Sequence, residues 1–582
     1  MDNIFKKPYL ASIYGTASAE RRYVYPREDL RQEPIFPYLV LDGGAYLFMS
    51  DHFGDIGSDG LLNKVMSGEI FDLLRGKDGK IDWLFCNRIS ADLGLPSNFE
   101  WQSWPQRLYM LLPLAQKYLQ TGEKCYADKW LEILRLWIKD APYEPLNRDV
   151  KHVGTSMKWR DMQPSWRTMV LLHSVYMFGT YEDAFTQEEW KEIYQFLELN
   201  LNHLLDEVDM DLQKHILGNH TLQKADALVV AGATMPEFPR AKDYLHWGKK
   251  TVQACFDDNI MPDGGMKEVG PSYNHFISRL YLEAQRSCEL NGDEGVTGLR
   301  ESIIKQYQLL WSISTKHGRS LQFSDAYGMD AHADIRRAME LFGFELDESK
   351  KSILMPHNQY IMLRNDRSEL AVDAMKFFGG HQHRGRIQPL LWVDGQELLV
   401  DTGCFNYDLF DRYVWCQTAE AHSVVTCDAF QQYLTEYEVA VTEFDPEANT
   451  ITAYQKSTYE GMTYTWTRKV ELLANGAKFT DTIESDREQT FRGRWYLPNR
   501  TTALEDGELI PGCIAQTMGC VGLGKTARQC VGETAMAVRS TEPMSLNRTA
   551  GIDANTRQTQ LAQLTWTRTG KSFTVETTVC LE

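Results

Sequence analysis

The chain is 582 residues long, with 43% hydrophobic residues, 24% charged residues and a formal net charge of −19. That balance supports a sizeable folded core and excludes a mainly disordered chain, a collagen and a coiled coil. The negative charge argues against a general nucleic-acid or anionic-membrane surface, so an anionic partner requires a local basic pocket.

No run approaches ~18 apolar residues, so no transmembrane helix and no membrane partner are expected. The opening MDNIFKKPYLASIYGT lacks the apolar core of a signal peptide. It fits either a cytoplasmic protein or a periplasmic or secreted one whose leader was removed. Eleven cysteines at irregular spacing suggest neither a disulfide framework nor a cysteine zinc site.

Up to about residue 345 the apolar pattern has a helical period. Helices are expected over roughly 105–120, 165–178, 220–232, 241–256, 275–290, 300–315 and 332–342. Trp130, Ile133, Leu134, Trp137 and Ile138 fall on one helix face. Thr186 to Glu189 spells a capping box that opens a helix through Trp190, Ile193, Leu197 and Leu204. Long amphipathic helices joined by short Gly- or Pro-bearing loops suggest stacked antiparallel hairpins.

A polar seam at Gly343–Lys350 marks the expected domain boundary, 1–345 against 346–582. Beyond it the period becomes two. Met462, Tyr464 and Trp466 alternate with threonines, as in a half-buried strand. Asp394-Gly395, between Leu391–Val393 and Gln396–Val400, reads as a type I′ hairpin turn. The fold class expected is α+β multidomain: an N-terminal incomplete α/α toroid followed by a C-terminal antiparallel β-sandwich.

Four stretches stand out for chemistry. Gly218-Asn219-His220 sits at a helix start, where Asn219 is suited to capping. Pro262-Asp263-Gly264-Gly265 to Glu268, then Pro271-Ser272-Tyr273-Asn274-His275, is a loop feeding a helix. His381-Gln382-His383 places two imidazoles on one strand face, followed by the cations Arg384 and Arg386. Those two cations suit a carboxylate or sulfate, or are simply surface residues.

Asp401 and His422 complete a set with His383. Two nitrogens and a carboxylate suit zinc with one position open, against the alternative of three separately hydrogen-bonded polar residues. If the hairpin keeps a two-residue register, Asp401 lies opposite Gln388. His383 then has to curl back, or the register has to be bulged.

The ordered set Asn-His, Glu-x-x-Pro-Ser-Tyr, HxH, Val-Asp-x-Gly and Ala-His resembles the heparinase II/III-like polysaccharide lyases. The resemblance runs from about Asn63 to His422. It includes Ile81-Asp82-Trp83, the Trp104–Arg107 helix start, Thr121-Gly122 and Trp159-Arg160. After HxH the family often has a small residue and an acid, where this chain has Arg384-Gly385-Arg386.

The resemblance implies the α/α toroid and β-sandwich, and β-elimination on a uronic-acid polysaccharide. A glycosaminoglycan such as hyaluronan, chondroitin or a heparan-type chain is the first expectation, and alginate or another uronate polymer the next. It implies that Asn219 binds the substrate carboxylate, that His220 is a base in some members, that Tyr273 is the catalytic tyrosine and that His381 helps neutralise the carboxylate. Substrate contacts are implied at Trp104, Arg107, Arg160, Arg384 and Tyr407, with Tyr407 or Tyr413 as a second tyrosine. His383, Asp401 and His422 match the zinc ligands, with a structural metal and no organic cofactor.

In such a lyase, amide and imidazole donors offset the developing enolate charge, a role worth ~3 kcal/mol per donor. Tyr273 or His220 takes the C5 proton and Tyr273 protonates the leaving oxygen. An inverting hydrolase using Asp263 and Glu268, and a non-catalytic carbohydrate-binding protein, are the competing readings.

Overall fold

A computed structural model of the chain describes residues 4–5, 21–32, 59–76, 78–83, 103, 105–146, 158–179, 184–268, 270–326, 328–405, 407, 411–431, 433, 435–505, 508–509, 519–532, 534–554 and 558–582. Two compact units emerge. One comprises Met1–Ile260 and Phe276–Ile303, the other Met261–His275 and Ile304–Glu582.

The first unit is helical. Its main helices are α1 (Leu111–Thr121), α2 (Lys124–Asp140), α3 (Met162–Phe178), α4 (Gln187–Gln213), α5 (Asn219–Thr234) and α6 (Ala241–Asn259). Helix α2 buries Trp130, Ile133, Leu134 and Trp137, the stripe its sequence spells, while Ile138 stays partly exposed. Thr186 Oγ1 accepts from the Glu189 N–H, and the Glu189 carboxylate accepts from the Thr186 N–H at 2.9 Å, which completes the capping box.

Every residue of α3 is buried, so it runs through the interior of the unit and lacks a polar face. Helices α5 and α6 approach closely, because a Cβ at Gly248 would lie 2.9 Å from the Val229 nitrogen. These antiparallel helix pairs form the incomplete α/α toroid. Among the described residues no helix is long and apolar enough to cross a membrane.

The second unit is a β-sandwich. A five-stranded antiparallel sheet runs in chain order through β1 (Ile353–Leu354), β2 (Tyr360–Arg364), β3 (Ser368–Asp373), β4 (Pro389–Val393) and β5 (Gln396–Leu399). A ten-stranded antiparallel sheet covers Val425 to Leu581. Ile361, Leu363, Leu370 and Val372 of the first sheet share a core with Trp466, Phe479, Trp495 and Trp566 of the second.

Tyr464 and Trp466 point into that core, as their alternation requires. So does Arg468, whose guanidinium is met by Asp481 at 2.8 and 3.0 Å. The Asp394-Gly395 turn has positive φ at both residues, 50° and 75°, the type I′ signature. The hairpin pairs Val393 with Gln396 and then slips by one residue, so that Leu391 faces Leu399. The slip does not carry Asp401 towards His383: Asp401 stays beside Gln388, which donates to it at 2.8 Å, and His383 lies in the irregular segment ahead of β4.

Candidate functional site

Tyr273 enters on a welded loop. Asp263 accepts backbone N–H groups from Gly265 at 3.1 Å, His357 at 2.8 Å and Asn358 at 3.0 Å. Gly264 has φ +89°, and a Cβ there would lie 2.8 Å from the Lys305 backbone, so only glycine fits. Asp263 is thus a structural anchor. The loop delivers helix α7 (Pro271–Leu290), and Tyr273 lies in its first turn, 2% exposed.

The Tyr273 and Tyr407 hydroxyl oxygens are 2.9 Å apart. The His381 ring stacks on Tyr273, with centroids 3.9 Å apart and planes at 23°. Of the two tyrosines left open by sequence, Tyr407 is the one that meets Tyr273, whereas Tyr413 is 44% exposed. Burial first, then the negative charge of Asp325, pushes the Tyr407 phenol well above its ordinary value, so it keeps its proton at neutral pH.

Asp325 is the hub that sequence reasoning missed. Its Oδ2 accepts from His381 Nδ1 at 2.8 Å and from Arg412 Nη2 at 2.6 Å, and its Oδ1 from His383 Nε2 at 2.6 Å. Burial alone would raise this carboxyl. The Arg412 guanidinium and the two imidazoles overcome that and hold it well below the usual carboxylate range. Arg412 also lies over the Tyr407 ring at 4.5 Å, on a single π-helical turn, Asp411–Cys416. Such turns concentrate at functional sites. On the other edge of His381, Nε2 lies 3.6 Å from Glu268 Oε1.

His383, Asp401 and His422 are all buried. His422 Nδ1 is 2.7 Å from Asp401 Oδ1, its Nε2 is 3.1 Å from the Cys416 carbonyl, and the two imidazole centroids are 5.2 Å apart. Gln388 donates to Asp401 at 2.8 Å. Among the described residues no three His, Cys, Asp or Glu side chains stand as a ready metal-binding group.

The hydrogen bonds nevertheless fit a metal. His422 Nε2–H donates to a carbonyl and His383 Nε2–H to a carboxylate, the outer-shell pattern of metal-bound histidines. The two Nδ1 lone pairs are left over. One faces Asp401, and the other, on His383, is buried with no hydrogen-bond partner. A lone pair and a carboxylate oxygen at 2.7 Å require a positive charge between them, either a proton or a cation.

The helical unit carries the other expected residues. The N-cap of α5 is Gly218, so Asn219 does not cap the helix as its position suggested; it is buried in the first turn. His220 is part-exposed, its Nδ1 2.6 Å from Asp161 Oδ1. Asp161 itself has φ 61° and ψ −133°, a strained backbone for a non-glycine residue. Arg160 is half-buried.

Arg107 departs from its expected substrate contact. It is wholly buried, with Nε donating to Gln163 at 2.9 Å, because the helix start turns it inward. Trp104 lies outside the described residues. Arg386 is neither a surface cation nor a ligand contact: it is buried and paired with Asp373 at 2.5 Å. Arg384 stays half-buried.

A family model described as Heparinase II/III N-terminus matches residues 48–345, and one described as Heparinase II/III-like, C-terminal, matches residues 347–578. The chain belongs to the heparinase II/III family.

A heparin-sulfate lyase of Bacteroides thetaiotaomicron is 25% identical over 219 residues, 37% of this chain and 28% of that protein. One of Bacteroides stercoris is 22% identical over 403 residues, 60% of this chain and 59% of that protein. The alignments thus span less than two thirds of either relative.

A solved heparinase III structure superposes with TM-score 0.68 at 16% identity, covering 98% of this chain and 88% of that one. A heparan sulfate lyase from Pedobacter heparinus gives 0.57 at 14% identity, covering 96% and 93%. This heparinase II/III-family chain shares their fold.

Proposed function

We propose that the protein is a polysaccharide lyase cleaving uronic-acid glycosaminoglycan by β-elimination, with heparin- or heparan-sulfate-type chains as first substrate. One observation carries the reading: the Tyr273 and Tyr407 phenols meet at 2.9 Å beside the stacked imidazole of His381. Elimination needs a base for the C5 proton, an acid for the leaving oxygen and a donor for the carboxylate.

Tyr273 takes the first two roles when the proton and leaving group share a face. Tyr407, kept protonated by burial, is its proton partner. His381, with Nδ1 tied to Asp325 and Nε2 beside Glu268, is the donor for the carboxylate. Asn219 supplies an amide donor. Asp161 holds His220 at Nδ1, and His220 is the base for the opposite epimer. The named heparin-sulfate lyase relatives favour the substrate class. The hydrolase reading loses Asp263, whose carboxylate is spent on three backbone N–H groups.

Incubation with heparan sulfate, chondroitin sulfate, hyaluronan and alginate, read by ultraviolet absorbance of unsaturated ends, tests the reading. Tyr273→Phe is expected to lower the rate by about a thousandfold or more with melting unchanged. New chain ends without absorbance would replace the lyase by a hydrolase. Binding without cleavage would make it a carbohydrate-binding protein.

A structural zinc belongs to the same proposal, held by His383 Nδ1, Asp401 and His422 Nδ1. When bound it supplies a fixed charge that cross-links three segments beside the His381 loop. Elemental analysis is expected to find about one zinc per chain. Chelation, or His383→Ala, should lower the melting temperature along with the rate. Metal-free protein with unchanged melting would reject the zinc.

A further inference from the structure

Asp161 stands at the N-cap of α3, where an aspartate ordinarily accepts from the N–H groups of its own helix. Here its side chain makes no capping hydrogen bond. Its backbone lies at φ 61° and ψ −133°, a region that glycine enters freely and other residues only under strain. An aspartate kept there under strain, and not used as a cap, points to a task elsewhere. Its carboxylate reaches across 59 positions of chain to His220, with Oδ1 2.6 Å from Nδ1.

The helix that carries His220 is braced. Lys224, one turn further along α5, is buried; its ammonium donates to Asp211 Oδ2 at 2.9 Å and lies 3.6 Å from Glu207, both on α4. Thr221 Oγ1 lies 2.9 Å from the same Asp211 oxygen. Burial works to discharge Lys224, but Glu207, Asp211 and Asp161 overcome it and hold the ammonium above its ordinary value. One buried cation thus ties the start of α5 to α4 and attracts Asp161 to the same place.

We propose that Asp161 is the positioning residue of His220, and that it decides whether a uronate whose C5 proton lies on the face opposite the leaving oxygen is cleaved. The inference rests on the lyase reading. A carboxylate can only accept, so Nδ1 of His220 carries the proton of their bond, and ring plane and tautomer are set before substrate arrives. When His220 takes the C5 proton, the C5–H electron pair becomes the C4–C5 double bond. The C4–O pair leaves with the glycosidic oxygen, which the Tyr273 phenol protonates. The carboxylate stabilises the imidazolium so formed; water then takes the imidazolium's proton and Tyr273 regains one. Glucuronate has its C5 proton and leaving oxygen on one face and is served by Tyr273. Iduronate, its C5 epimer, requires the Asp161–His220 pair.

The test uses the full chain and two heparan-type tetrasaccharides that differ only in glucuronate or iduronate at the cleaved bond, read by ultraviolet absorbance. Asp161→Asn removes the charge and keeps the shape. Its kcat on iduronate should fall about a hundredfold more than on glucuronate, with KM within about twofold. Asp161→Gly also releases the backbone strain, so it should lose the same iduronate rate and melt no lower than wild type. A merely structural residue would lower both rates together and melt lower in both variants.

Equal loss on the two epimers, or iduronate cleavage retained by Asp161→Asn, overturns the proposal. A wild type that cleaves glucuronate alone overturns it too and leaves the lyase reading standing. Absence of unsaturated product from every uronate polymer removes the lyase reading and this inference with it.

Discussion

In the sandwich unit the buried carboxylate of Asp325 is hydrogen-bonded to one guanidinium and two imidazoles; in the helical unit Asp226 and Glu283 are buried with weaker company. Among the described residues both Asp226 oxygens and Glu283 Oε1 lack hydrogen-bond partners, and an imidazole, His173 Nε2, is 3.8 Å from Glu283. Burial raises all three acids. For Asp325 the partners reverse the sign and hold the carboxyl well below the usual range. For Glu283 burial prevails, pushing the carboxyl up to about 8, with Arg279 opposing it only partly. Burial pushes His173 down to about 3, so it stays neutral. The difference teaches that depth alone does not set a charge state; the partners within reach do.

The comparison breaks most easily at Arg412. Arg412→Ala leaves Asp325 without its guanidinium, and a loss of about 3–5 kcal/mol is expected in urea unfolding, with a fall in rate. A wild-type midpoint would show that the imidazoles alone suffice.

The next effect is pH-dependent. Glu283 has a native value raised from 4.5 to about 8, so its proton stabilises the fold fully below about pH 4.5. That contribution is lost as pH rises through about 8. Glu283→Gln should therefore flatten the fall in melting temperature between pH 5 and 9, and gain on wild type most at the alkaline end. Parallel curves for the two proteins would place the raised carboxyl elsewhere.

The smallest effect sharpens the contrast as a control. Thr186→Ala removes a cap from the helical unit, together with the hydroxyl that donates to Glu189, and should cost about 1 kcal/mol at neutral pH, without altering activity.

Much of the fold was legible. The helix ranges, the Thr186 box, the type I′ turn and the Tyr464/Trp466 alternation all follow from residues a few positions apart. Tyr273 and His381 were legible through motif order, and the structure stacks them. Asp325 and Arg412 were not, since neither sits at a telling spacing from His381. A lone Ser-Asp-Ala reads as a turn, and Arg412 lies in a stretch without a clean period. Arg107 and Arg386 were misjudged for one reason: an arginine is presumed to face solvent or ligand, and here both lie inside the core, Arg107 donating to Gln163 and Arg386 to Asp373.

By itself the sequence determined the local periods, the caps and turns, and which side chains carry chemistry, because each depends on neighbours along the chain. Tertiary structure alone decided that Tyr407 meets Tyr273 across 134 positions and that Asp325 reaches His381 across 56 and Arg412 across 87. Pairing and desolvation act through space, so a carboxylate's charge and a phenol's partner are set only when distant segments are brought together.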